Sequence, residues 1–444
     1  MKKRFYILYI LSLMLSINTS CSSDGKNPDI PGNTPPISYE VKSDIQLPMS
    51  IILNNIPDEY AAFKEPMTSA LAQRENNLRQ ETGNPDIQLG FRKVTYLYPS
   101  KDIDGGDITL SAAACWLGYF NNGVWNDLKP ENICLMEHYT ITSDAEAPSN
   151  TFALEMFITG NALTIMPDYI GYGITKDIPH PYLNHDVCAI NSIDALSAGY
   201  ELFNDKSKNG MHNSWKLYIA GASQGAGNAI AIHKFMDTNL ELAAKWNFAS
   251  TNCSSGPYSP VVTIDKYFTD GKVVYPVVFP LVIRTMFDSY PEIMEGFTEE
   301  MFYSQNYLAI KSEIDGLIEG KRHNTSEINQ VFIDKVRKTV DANLAENEIY
   351  LTDILSPEML DKESPICKAL YLCLEKNDLT KGWSPTHPIK LHYSSKDKVV
   401  PHENSLAIHE AFGDGVVTLE PSPVSADHTT TCSLWMVELF SKGF

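Results

Sequence analysis

Ser223, Asp397 and His428 have the residue types that can together break an acyl bond. A serine hydroxyl is a poor nucleophile at neutral pH. It needs a histidine to take its proton and an acid to orient that histidine. Ser223 stands in Gly221-Ala-Ser-Gln-Gly225, after a β-rich run at 217–220 and before a small-residue helical pattern. This predicts a strand, a sharp turn with the serine at its apex, and a helix. Such a turn strains the serine backbone, so its flanks need residues without bulk. Gly221 and Gly225 meet that need. The bland alternative for so short a motif is a glycine-rich turn with a solvated serine.

Two later segments supply partners. Ile389-Lys-Leu-His-Tyr-Ser-Ser-Lys-Asp-Lys-Val-Val-Pro401 runs from an apolar strand into a polar turn bearing Asp397, the expected orienting acid. Ser425-Ala-Asp-His-Thr-Thr-Thr431 places His428, the expected general base, in a polar loop before the last helix. Asp427 is the second candidate acid; its side chain, adjacent in sequence to His428, is expected to point elsewhere. The order Ser, Asp, His is that of strand–turn–helix nucleophile enzymes. An oxyanion also needs two donors. One is the amide of Gln224, at a helix N-terminus. The other is expected near Asp168 and Tyr169, in the glycine-rich turn Met166-Pro-Asp-Tyr-Ile-Gly-Tyr-Gly173.

Strands alternating with helices must hold these loops at one rim. Strand-like runs fall at 92–98, 108–119, 132–139, 162–169, 217–220, 246–251, 389–393 and 416–419, with helices at 57–82, 186–204 and 430–440. This predicts an α/β fold, a mostly parallel sheet with helices on both faces. Residues 262–380 break the alternation with helical stretches, including 325–346, and are expected to form an inserted cap. Within them Val273-Val-Tyr-Pro-Val-Val-Phe-Pro-Leu-Val-Ile283 is intensely apolar, as cap core or as the lining of a greasy pocket. Lys101-Asp-Ile-Asp-Gly-Gly-Asp107 reads as a tight turn rather than a calcium loop.

The chain has 444 residues, 43% hydrophobic and 20% charged, with a formal net charge of −20. That acidity makes nucleic acid an unlikely partner. Lys2, Lys3 and Arg4 precede an apolar run at 5–17 too short to span a membrane, and Asn18-Thr19-Ser20-Cys21 follows. This resembles a bacterial lipoprotein signal, and Ser22-Ser-Asp-Gly25 resembles an export tag. The expected organisation is a signal peptide at 1–20, lipidation of Cys21 and a flexible tether at 21–46. An α/β core at 47–261, the cap at 262–380 and the rest of the core at 381–444 follow. The expected location is the outer membrane, and the tag-like Ser22-Ser-Asp-Gly25 suggests display at the cell surface. Seven other cysteines leave at least one thiol free, and no C-x-x-C spacing indicates a zinc cluster. The chemistry needs no cofactor and no metal.

Glu137-His-Tyr-Thr140, Ala147-Pro-Ser149, Pro167-Asp-Tyr-Ile-Gly-Tyr-Gly173, His180-Pro-Tyr-Leu183, Gly221-Ala-Ser-Gln-Gly225 and Asp397-Lys-Val-Val-Pro401 occur in the order seen in the secretory lipase family, α/β-hydrolases of the lipase A type. The resemblance covers roughly residues 90–440. It implies an α/β-hydrolase fold with a helical cap, a Ser223, Asp397 and His428 triad, and an oxyanion hole from Asp168 and Gln224. Gln224 stands where the family often has glycine, and Ile170 where it often has an acid. The expected activity is a carboxylic-ester hydrolase acting on lipid or other acyl esters. A serine peptidase of the same fold, a surface esterase for acylated glycans, and a non-catalytic binding protein are the alternatives.

Overall fold

The computed structural model describes residues 38–54 and 61–444. The segments expected to be a signal peptide and the first part of a tether, with Cys21, lie outside the described residues. One ten-stranded sheet organises the rest. Its strands are β1 (Glu40–Pro48), β2 (Gln88–Lys101), β3 (Asp107–Asn121), β4 (Val124–Asp127), β5 (Asn132–Glu137), β6 (Ala162–Pro167), β7 (Leu217–Ala222), β8 (Phe248–Ser254), β11 (Ile389–Tyr393) and β12 (Val417–Pro421). A separate antiparallel pair, β9 (Lys272–Val273) and β10 (Ile349–Tyr350), lies between β8 and β11 in sequence. The sheet runs β1-β2-β3-β6-β5-β7-β8-β11-β12, with β4 on β3. Pairing is antiparallel from β1 to β6 and parallel from β6 to β12.

Alternation along the strands explains the two covered faces. Val94, Tyr96, Ala112, Ala114, Ile133, Leu135, Leu217 and Ile219 point into one core with helices His185–Lys206 and Gln224–Thr238. Ala113, Cys115, Cys134, Met136, Ala220 and Ala222 point into the other, with Trp435 and Leu439 of helix His428–Lys442. Successive side chains of a strand face opposite ways, so a sheet buried on both sides needs apolar residues at nearly every position.

Two expectations need correction. The tether assigned to 21–46 ends earlier, because Glu40–Pro48 is an edge strand paired with β2. Its charges disguise it, as edge strands often do. Asp44 is tied to the Arg92 guanidinium through both oxygens, at 2.8 and 2.7 Å. The helix expected at 325–346 stops at Val331, and a π-turn covers Phe332–Val336. Beyond it the amides of Lys338 and Thr339 donate to Asp353, and that of Ala345 to Glu348. Tertiary acceptors replace the i−4 carbonyls there. The turn at 101–107 is an Asx turn: Asp102 accepts from the amides of Asp104 and Gly106.

Between β8 and β11 the chain builds a second hydrophobic cluster from helices such as Pro260–Asp270, Val278–Ser289 and Pro365–Lys376. From outside that stretch the cluster takes in Tyr182 and Leu183. The apolar run at 273–283 serves both uses weighed for it. Val277, Leu281 and Ile283 pack inside the cluster, while Val278 and Val282 line a cavity.

Candidate active site

Ser223 sits between β7 and helix Gln224–Thr238 at φ 55 and ψ −123, a conformation that a residue with a Cβ rarely adopts. The chain doubles back tightly enough to demand glycine on both sides. A Cβ on Gly221 would stand 2.3 Å from Gly225 O, and one on Gly225 would stand 2.2 Å from Glu137 O. The turn is anchored where the Ser223 amide donates to Ser254 O at 2.9 Å. Ser223 is buried but lines a cavity.

The three side chains singled out in the sequence meet here. His428 Nε2 stands 3.0 Å from Ser223 Oγ, and His428 Nδ1 stands 2.7 Å from Asp397 Oδ2. A carboxylate only accepts, so Nδ1 carries the proton and Nε2 accepts from the serine hydroxyl. The other oxygen of Asp397 accepts from the amides of Val399 and Val400, both at 2.9 Å. These two bonds fix the carboxylate plane and explain why a turn follows β11. Asp427 is excluded as the acid: its carboxylate caps helix His428–Lys442, accepting from Thr430 N at 2.9 Å. Other histidines are tied elsewhere. His233 and His387 both bond Asp237.

The expected oxyanion donors divide. Asp168 must be withdrawn: its amide donates to Ser111 O at 3.0 Å, continuing the β3–β6 ladder. Its carboxylate accepts from Ser111 Oγ at 2.5 Å and from the Ser149 amide at 2.8 Å. Burial pushes this carboxyl up to about 6 against those hydrogen bonds. Tyr169, the next residue, has φ 67, and its amide has no hydrogen-bond acceptor among the described residues. The Gln224 amide, in the first turn of its helix, is likewise without one.

Four buried groups around these donors carried no role in the sequence reading, although their motifs were noted. Glu137 Oε2 accepts from Ser192 Oγ at 3.0 Å. His138 stacks on Tyr169 with ring centroids 4.0 Å apart. His180 Nε2 stands 2.7 Å from Gln224 Nε2. Thr140 Oγ1 bonds Tyr182 OH at 2.9 Å beside Ser223 in the cavity wall. The signal that could have found two of them is an acid beside a histidine, Glu137 and His138, at the end of the predicted apolar strand 132–139.

The cavity at Ser223 measures about 70 Å³ and is mostly apolar, with Ile264, Phe279, Val282, Leu374 and Val399 in its wall. That is room for on the order of five water-sized groups. Its floor is the nucleophile turn and its roof is the helical insertion.

No protein-family model and no curated protein matches the chain significantly. Solved structures do share its shape. The rice cell wall degrading esterase LipA from Xanthomonas oryzae, in a ligand-bound form, is 17% identical over 91% of this chain and 97% of its own, with a TM-score of 0.63. A candidate hydrolase from Legionella pneumophila is 18% identical over 92% of this chain and 97% of its own, at 0.62. Candida antarctica lipase A is 14% identical over 79% and 77%, at 0.50. At such identities the likeness is one of fold. The chain has the α/β-hydrolase fold.

Proposed function

We propose that this protein is a serine carboxylic-ester hydrolase. Ser223 is the nucleophile, His428 the general base and then acid, and Asp397 the group that orients His428. The carrying observation is the hydrogen-bonded row from Ser223 Oγ to His428 at 3.0 Å and on to Asp397 at 2.7 Å. Ser223 Oγ attacks the acyl carbonyl carbon as its proton passes to His428 Nε2. The carbonyl oxygen becomes an oxyanion, which the amides of Tyr169 and Gln224 bind. Collapse breaks the ester bond, and the leaving alcohol takes the proton from His428. Water then attacks the acyl-enzyme with His428 as base, freeing the acid and Ser223. No step needs a metal or cofactor.

The apolar cavity beside Ser223 suits an aliphatic acyl group. Structural neighbours described as an esterase and a lipase agree with an ester as the bond attacked. The amino-terminal pattern further supports an exported lipoprotein held at the outer membrane through Cys21. Replacing Ser223 by alanine is expected to cut turnover of p-nitrophenyl butyrate by at least about a thousandfold with an unchanged melting curve. Fluorophosphonate labelling disappears with it. Retained turnover in Ser223→Ala would overturn the assignment, and faster cleavage of aminoacyl-naphthylamides than of esters would move it to a peptidase.

A further inference from the structure

The two amides assigned to the oxyanion come from distant parts of the chain. Tyr169 follows β6 and Gln224 follows β7. A preorganised hole needs its donors held at a fixed separation, because a shift of a fraction of an ångström weakens both bonds. One buried residue is hydrogen-bonded to both of the segments that carry these donors. His180 Nδ1 stands 2.8 Å from Ile170 O, the carbonyl next along the chain from Tyr169. A carbonyl oxygen only accepts, so Nδ1 carries the proton and Nε2 is left as an acceptor. The side chain of Gln224 fills that acceptor, its Nε2 donating across 2.7 Å. Burial holds the His180 imidazole down at about 3, which keeps it neutral and agrees with this tautomer.

The rings add a second link. His180 lies nearly parallel to the Tyr169 ring, at 5.8 Å and 12°, and His138 also stacks on that ring, at 4.0 Å. Tyr169 therefore holds its left-handed backbone inside an aromatic stack. Gly171 makes the approach feasible: a Cβ there would come within 2.8 Å of the His180 backbone. With both ring nitrogens occupied, His180 is excluded as a competing base for Ser223.

We propose that His180 and the Gln224 side chain form a strut between the two oxyanion donors, making His180 a positioning residue for hydrolysis. This rests on the reading of Ser223 as the nucleophile.

The test compares His180→Phe, His180→Gln, Gln224→Leu and the double variant His180→Phe/Gln224→Leu on p-nitrophenyl butyrate. Phenylalanine keeps a ring but neither hydrogen bond. Glutamine can accept from Gln224 and donate to Ile170 O. Leucine at 224 keeps the backbone amide and removes the side-chain donor. His180→Phe and Gln224→Leu are expected to lower kcat by about 10- to 100-fold with KM changed less than about threefold. The double variant is expected to be no worse than the poorer single one, since both cut the same strut. His180→Gln is expected to recover most of kcat. Affinity for an alkyl boronic acid, whose adduct is tetrahedral, falls in step with kcat. A wild-type kcat in His180→Phe, multiplicative losses in the double variant, or a His180→Gln no better than His180→Phe would each overturn the strut. If His180→Phe does not fold, Gln224→Leu and His180→Gln decide alone. Activity surviving in Ser223→Ala is a separate failure, that of the nucleophile, and is read from that variant only.

Discussion

Glu137 lies directly behind the nucleophile turn, where its own carbonyl forbids a side chain at position 225. Burial pushes its carboxyl up to about 8 from 4.5, against the hydrogen bond from Ser192. The folded chain therefore keeps a proton that the unfolded chain has released across that interval. The stability this confers is fully present below about pH 4.5 and is lost as pH rises through 8. Glu137→Gln cannot release that proton. Its melting temperature relative to the parent is expected to improve steadily from pH 5 to pH 8.5. A constant difference in parallel thermal melts would mean that the carboxyl is ionised in the fold. Single residues also mark how far the sequence could be read. Ser223, Asp397 and His428 could be found because each sits in a segment whose polarity changes abruptly at a strand end. The choice between Asp168 and Tyr169 could not be made. It depends on which of two adjacent amides the last rung of the β3–β6 ladder consumes, and pairing register is not written in local composition.

Helix Pro365–Lys376 closes the far side of the cavity through Leu370 and Leu374. The Ser364 side chain caps its start and Pro365 stands at its first position. The stretch after Val331 was not legible. Its composition favours helix, yet Asp353 and Glu348, near in space, capture the amides that a helix would use. The edge strand β1 was missed for a related reason: its burial depends on Arg92, far along the chain. Since this helix roofs the proposed acyl site, filling it is expected to change which chains fit. Leu374→Trp is expected to reduce kcat/KM for p-nitrophenyl octanoate by at least about tenfold while that for the acetate stays within about threefold. Equal losses on both esters would place the acyl group elsewhere.

At the scale of the whole molecule, two hydrophobic clusters sandwich one sheet and a third fills the insertion over its rim. The alternation of strands with helices made the layered architecture readable, and its interruption marked the insertion. The proposed amino-terminal anchor belongs to this scale too. Cys21→Ser is expected to move ester-hydrolysing activity from the membrane pellet to the soluble fraction of the expressing cell, with kcat unchanged; activity that stays in the pellet would argue for another means of attachment. The order of the parts along the chain has its own consequence. His428 follows Ser223 by 205 residues, and the strand that presents Asp397 joins the sheet against β8 only after the insertion has been traversed. Under the proposed export, a polypeptide threaded amino-end first through a membrane would present Ser223 long before His428 could reach it. Until the final segment had crossed and docked, the emerging chain would be chemically silent toward the lipids around it.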